Sequence, residues 1–169
     1  MSKIAPVSYP GYFQKYIDLV PEKDISAAFK NQQIVLEDFF NSIPAQKHQY
    51  AYAEGKWTIQ EMLQHIIDTE RILGYRAVCF ARGEQANLPG FDENEYAAQS
   101  DAHTRNWNDM VKELLILRQA TEMMFAGFTP QMLSQKGIAN NNSISVMQLG
   151  QMIIGHVYHH KNMVVERYL

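Results

Sequence analysis

The sequence is poor in the features that mark several function classes. Cys79 is its single cysteine, which excludes an internal disulfide. It falls in the apolar stretch RILGYRAVCF and reads as a buried small hydrophobe, because nothing near it supplies the electropositive setting of a reactive thiolate. Fifteen basic and 18 acidic residues are spread along the chain for a net charge of -3. The basic run that would neutralise phosphates is missing, which argues against a nucleic-acid partner. The longest wholly apolar stretches are far shorter than the roughly twenty residues that span a bilayer, so no membrane partner is expected. The segment MSKIAPVSYPGYF lacks an apolar run of signal-peptide length, and a cytoplasmic location is expected.

Proline and glycine are sparse, and their grouping divides the chain. Pro6, Pro10, Gly11 and Pro21 make residues 1–21 an irregular lead-in. Residues 24–43 contain neither, and their apolar spacing predicts a helix that Asp24 caps and Pro44 stops. Thr58 and Glu61 form a capping box that opens a second helix, ending near Arg82 and Gly83. Residues 83–101 form the longest connection, with room for a short helix over 93–99. A third helix is predicted from about Thr104 to Phe125, closed by Gly127 and Pro130. Residues 130–142 are polar and read as a loop, and no stretch alternates cleanly enough for a strand. Ser145 and Gln148 form a second capping box, opening a last helix that runs to the end of the sequence. With 169 residues, the expectation is one all-α domain spanning 1–169. Its form is an antiparallel four-helix bundle with the long connection between helices 2 and 3.

Six histidines punctuate this pattern, three of them in GHVYHH on the last helix. At roughly 100° per residue, Leu149, Ile153, Val157 and His160 share a stripe. His156 flanks that stripe and His159 points away from it. His156 and His160 are spaced i and i+4, so they are stacked neighbours. His65 lies at the edge of the second helix's apolar stripe, beside Met62 and Ile66. Together they form a candidate site for one divalent transition metal, of the kind bundles build in their cores. Neutral imidazole suits zinc, nickel, copper and iron alike. Three protein ligands would leave a coordination position for water or substrate. The same histidines also fit a structural role, as hydrogen-bonded core residues.

Trp57-Thr58 opening a helix, followed by Glu61, His65 and Glu70, resembles the DinB-like superfamily. So does the closing segment Gly155-His156-x-x-His159-His160 with Glu166-Arg167-Tyr168. The resemblance covers residues 24–169. It implies a four-helix bundle whose metal ligands are His65, His156 and His160, with zinc, nickel or iron as the ion. It also implies kinship with YfiT-like metal-dependent hydrolases and bacterial thiol-dependent S-transferases.

Two carboxylates follow His65. Asp68 is expected to orient an imidazole through a hydrogen bond, and Glu70 to act as a general base on metal-bound water. Both also suit pairing with Arg71 or Arg76. Trp57 reads as a core anchor or as a roof over the site. The expected function is a metal-dependent hydrolase of a small molecule, or a transferase using a low-molecular-weight thiol as co-substrate. The alternatives are a non-catalytic metal or small-molecule sensor module and a metal-free helical interaction protein. A homodimer is expected.

Overall fold

The computed structural model describes residues 13–169. In chain order its elements are α1 (Gln14–Ile17), α2 (Ile25–Ser42), α3 (Ile59–Ala81), β1 (Asn87–Leu88), α4 (Glu93–Gln99) and α5 (Trp107–Ala126). They are followed by α6 (Pro130–Ser134), β2 (Lys136–Ala139), β3 (Asn142–Ser145) and α7 (Val146–Arg167). The four long helices start where side chains satisfy their free N–H groups. Asp24 accepts from the Ala27 N–H at 2.7 Å, and Asn106 accepts from the Asp109 N–H at 3.2 Å. Both capping boxes are formed. The Thr58 N–H donates to Glu61 at 2.7 Å and the Glu61 N–H to Thr58 Oγ1 at 3.1 Å. Ser145 and Gln148 exchange bonds of 3.0 and 3.1 Å.

The bundle order is not the chain order. Around the bundle the helices run α2, α5, α3, α7, so the consecutive helices α2 and α3 sit on a diagonal. Phe29 meets Phe125 and Phe40 meets Trp107, which makes α2 and α5 antiparallel. His65 meets His156 while Tyr168 donates to the Trp57 carbonyl, so α3 and α7 are antiparallel too. In contrast, Gln60 meets Met110 and Glu70 meets Arg118, so α3 and α5 run the same way. Parallel neighbours require the chain to return the full length of the bundle. The connection over residues 82–106, the long one between the second and third long helices, makes that return.

The apolar core is in two parts. Phe29, Phe80, Phe125, Val146 and Leu149 pack at one end, and Leu36, Ile59, Leu63, Trp107 and Val157 at the other. Buried polar side chains lie between them. Arg118 is 0% exposed and Glu70 2%. The guanidinium donates from Nε to Glu70 Oε1 at 3.0 Å and from Nη2 to Oε2 at 2.8 Å. Its Nη1 donates to Gln32 Oε1, and Gln32 Nε2 donates to the Ile154 carbonyl at 2.8 Å. One network thus ties all four long helices together.

Several features depart from the sequence expectation, the short helix α6 within residues 130–142 among them. Within the lead-in, α1 is a helical turn packed on α7; residues 1–12 of that lead-in lie outside the described residues. Residues 136–145 form a hairpin rather than a loop, with β1 joining β2 in parallel. Asn140 and Asn141 both have positive φ, 48° and 62°, the conformation that a two-residue hairpin turn requires. Four-residue strands are too short to show a clear alternation. The hairpin fits because Gly137 lies on the Phe80 ring, where a Cβ would come within 2.1 Å.

The central ion pair predicts a large penalty for removing one partner. Glu70→Ala, which leaves Arg118 buried without its counter-charge, is expected to cost about 3–5 kcal/mol in urea denaturation. Adding Arg118→Leu to that variant should recover part of the loss. Independent, additive losses would show that the two side chains are not coupled.

Candidate metal centre

Capping boxes fix where α3 and α7, the two helices that carry the candidate ligands, begin. Because α3 and α7 are antiparallel neighbours, His65 faces the GHVYHH segment. The three side chains are buried, at 4%, 6% and 6% exposure for His65, His156 and His160. His156 Nε2 lies 2.9 Å from His65 Nε2 and 3.0 Å from His160 Nε2. One potential ligand nitrogen from each residue falls within 4.8 Å of the other two. A tetrahedral ion with bonds of about 2.0–2.1 Å would hold its ligand nitrogens roughly 3.3 Å apart, close to the two spacings His156 makes.

The electrostatics agree with this geometry. Burial first, then the neighbouring imidazoles, pulls the pKa of His156 and His160 well below the usual histidine value. Burial takes His65 down to about 4, with His159 adding to the effect. Arg118 contributes to the lowering at His156. Neutral rings thus present lone pairs to one another, and each close pair of nitrogens can share at most one proton. Nδ1 of His160 is buried without a hydrogen-bond partner. A bound cation resolves this crowding of acceptors, so the donor set fits a divalent transition metal.

Aromatic rings close the sides of the cluster. The half-buried Trp57 ring is 4.8 Å from the His65 ring. Tyr16 of α1 stands edge-on to both His156 and His159, with ring centroids at 5.7 and 5.3 Å. Gly155 permits this. A Cβ there would lie 1.9 Å from the Tyr16 carbonyl oxygen, so a larger residue beside His156 would push α1 away. His159 stays half-buried, outside the three-nitrogen cluster.

The two carboxylates do not take the roles expected of them. Asp68 accepts from Gln64 Nε2 at 2.9 Å and lies 4.0 Å from Arg71. Its neighbours Arg71 and Gln64 contact Glu113 and Arg105 on the α5 side. One turn from His65 along α3 brings Asp68 round towards α5, so it orients no imidazole of the cluster. Glu70 has both oxygens on the Arg118 guanidinium and is not available as a base. Its partner is neither Arg71 nor Arg76, because the parallel packing of α3 and α5 brings Arg118 alongside instead.

The cluster borders a cavity of about 490 Å³ that His156 helps to line. Arg76, Thr69 and Phe91 are among its other walls. Arg76 and Thr69 were visible in the sequence as members of the His65 face of α3, at +11 and +4. Tyr16 carried no signal.

Residues 28–164 match the model of the DinB superfamily. The chain belongs to that superfamily. Over 126 residues it is 25% identical to a protein of Oceanobacillus iheyensis whose name assigns it provisionally to the metal-dependent hydrolases. That match spans 74% of this chain and 72% of the relative. The fold also overlays on Bacillus subtilis YfiT, described as a probable metal-dependent hydrolase with an unusual four-helix bundle topology. The TM-score is 0.73 at 15% identity, over 98% of this chain and 90% of that one. At that identity the likeness of this DinB-superfamily bundle to YfiT is one of fold. Among the described residues no helix is long and apolar enough to cross a membrane.

Buried neutral histidines make the metal-free protein acid-sensitive. Above pH about 6.5 the three imidazoles are neutral in both folded and unfolded states and add no pH dependence. Below it the unfolded chain takes up protons that the folded site refuses, so stability falls as pH drops from about 6.5 towards the folded His65 value of about 4. The melting temperature of metal-free protein should therefore fall between about pH 7 and about pH 5, and His65→Asn should flatten that dependence. An unchanged profile in the variant would contradict the assignment.

Proposed function

We propose that this DinB-superfamily protein is a metal-dependent hydrolase of a small molecule, with His65, His156 and His160 holding one divalent transition ion. The observation that carries this reading is the convergence of three buried, neutral imidazole nitrogens that have one another as their nearest polar partners. When bound, such an ion polarises a substrate carbonyl or phosphoryl oxygen and brings the pKa of a coordinated water towards neutrality. The chain's own residues supply the setting. The three imidazoles offer lone pairs, and their depressed pKa values keep protons from competing for them. Trp57 and Tyr16 exclude bulk water from the sides, and the Glu70–Arg118 pair holds α3 in place beside the cluster. Since His156 also lines the cavity, a molecule held there would lie beside the three histidines that would hold the ion.

Protein purified without an affinity tag is expected to carry, or take up on titration, one zinc, nickel or iron ion per chain. His160→Ala should lose that stoichiometry by elemental analysis while keeping its helical circular dichroism. Hydrolysis of a panel of small esters and amides should vanish on chelation and return with the ion. One-to-one metal in His160→Ala, or turnover that survives complete chelation, would remove the proposal. Transfer to a low-molecular-weight thiol is the second reading of the same centre. Cys79 lies at the C-terminal end of α3 with Arg82 and Gln85, so any sulfur nucleophile has to come from a co-substrate. Thioether formation in the presence of added thiol, rather than hydrolysis, would assign transfer.

A further inference from the structure

The cavity beside the histidines is lined by a buried cation without a counter-charge and by a hydroxyl without a partner among the described residues. Arg76 is buried, at 9% exposure. Its Nη2 donates to the Pro89 carbonyl at 2.7 Å, but among the described residues no carboxylate lies within ion-pair distance of it; the pairs formed are those of Arg71, Arg105 and Arg118. Burial alone lowers its pKa, as for a cation taken from water with no counter-charge at bonding distance. A guanidinium does not escape by giving up its proton, so an unpaired one favours an anionic guest. Thr69 is 6% exposed and its hydroxyl has no partner. Thr121, also within a long helix, bonds its hydroxyl back to the Leu117 carbonyl at 3.0 Å. Thr69 makes no such bond, and it lines the cavity together with Arg76.

The spacing His65, Thr69, Leu73, Arg76 puts ligand, hydroxyl, apolar wall and guanidinium on one face of α3. From His65 to Arg76 the helix rises about 16 Å, and a helical side chain leans back towards the N-terminus. An acid held by Arg76 would thus lie on the face of α3 that carries His65, with Leu73, Phe91 and Met152 among the cavity walls around it. We propose that Arg76 and Thr69 bind the carboxylate of a small, partly apolar acid, and so define the substrate class of the neighbouring centre; this rests on the metal-dependent reading above. A carboxylate's two oxygens match one guanidinium and one hydroxyl. Asp92 and Glu93 line the same cavity, which disfavours a guest with more than one negative charge, such as a phosphate dianion.

The test is calorimetric titration of the zinc-loaded protein with hydrocinnamate and with its neutral isostere hydrocinnamide. Wild-type protein is expected to bind the acid at least tenfold more tightly than the amide. Arg76→Gln should erase that preference, and Thr69→Val should reduce acid binding severalfold, both with zinc stoichiometry intact. Equal affinity of wild-type protein for acid and amide, binding of neither, or an acid affinity unchanged in Arg76→Gln would overturn the proposal. The acid–amide comparison needs no variant, so misfolding of a variant does not blunt it. Wild-type protein that takes up no zinc yet prefers the acid would sink the metal reading and leave the carboxylate site standing.

Discussion

A guanidinium with no exposure to water must be neutralised where it sits, and in this bundle that requirement falls on Glu70. The Arg118–Glu70 pair, extended by Gln32 to the Ile154 carbonyl, joins α5, α3, α2 and α7 across the middle of the molecule. Apolar packing at the two ends supplies the bulk of the driving force, but many helix arrangements could bury those surfaces. The polar network tolerates few of them, because a one-residue rotation or a one-turn slide of any helix would leave a charge unpaired in the core. The order α2, α5, α3, α7 and the register of α3 against α7 follow from satisfying it.

That register brings His65 opposite His156 and His160. The centre therefore depends on the ion pair indirectly, through helix position, and also directly, since the Arg118 charge adds to the lowering of the His156 pKa. The Arg118 charge is tolerable beside the three imidazoles because Glu70 pairs with it and cancels most of its field. This gives Glu70 a structural use that outweighs any catalytic one: it lies on the histidine-bearing helix, but its carboxylate is committed.

The walls of the centre come from elements with weak sequence signals. The turn α1 covers His156 only because Gly155 lets its backbone approach. The hairpin closes the opposite end of the cavity, with Asn140 and Asn142 in its wall. It stays attached through Gly137 on Phe80 and through the bond from the Asn140 N–H to the Leu88 carbonyl at 2.8 Å. The crossing segment 82–106 supplies Phe91, Asp92 and Glu93. A connection that exists to carry the chain back along the bundle thus also encloses a binding space.

Read alone, the sequence determined what depends on contacts within a turn or two of helix. It set where three of the four long helices begin, through Asp24, Thr58–Glu61 and Ser145–Gln148, and the pairing of His156 with His160. The position of His65 at the edge of its helix's apolar stripe made it a candidate third member, which the family resemblance supported. It did not disclose Arg118 as the partner of Glu70, the α5-facing position of Asp68, the seat of α1 or the cavity with Arg76 and Thr69. The reason is range. Capping bonds and the i, i+4 relation are written in neighbouring residues. Which helix lies beside which is decided by burying all the charges and apolar faces at once, and only the assembled bundle solves that condition.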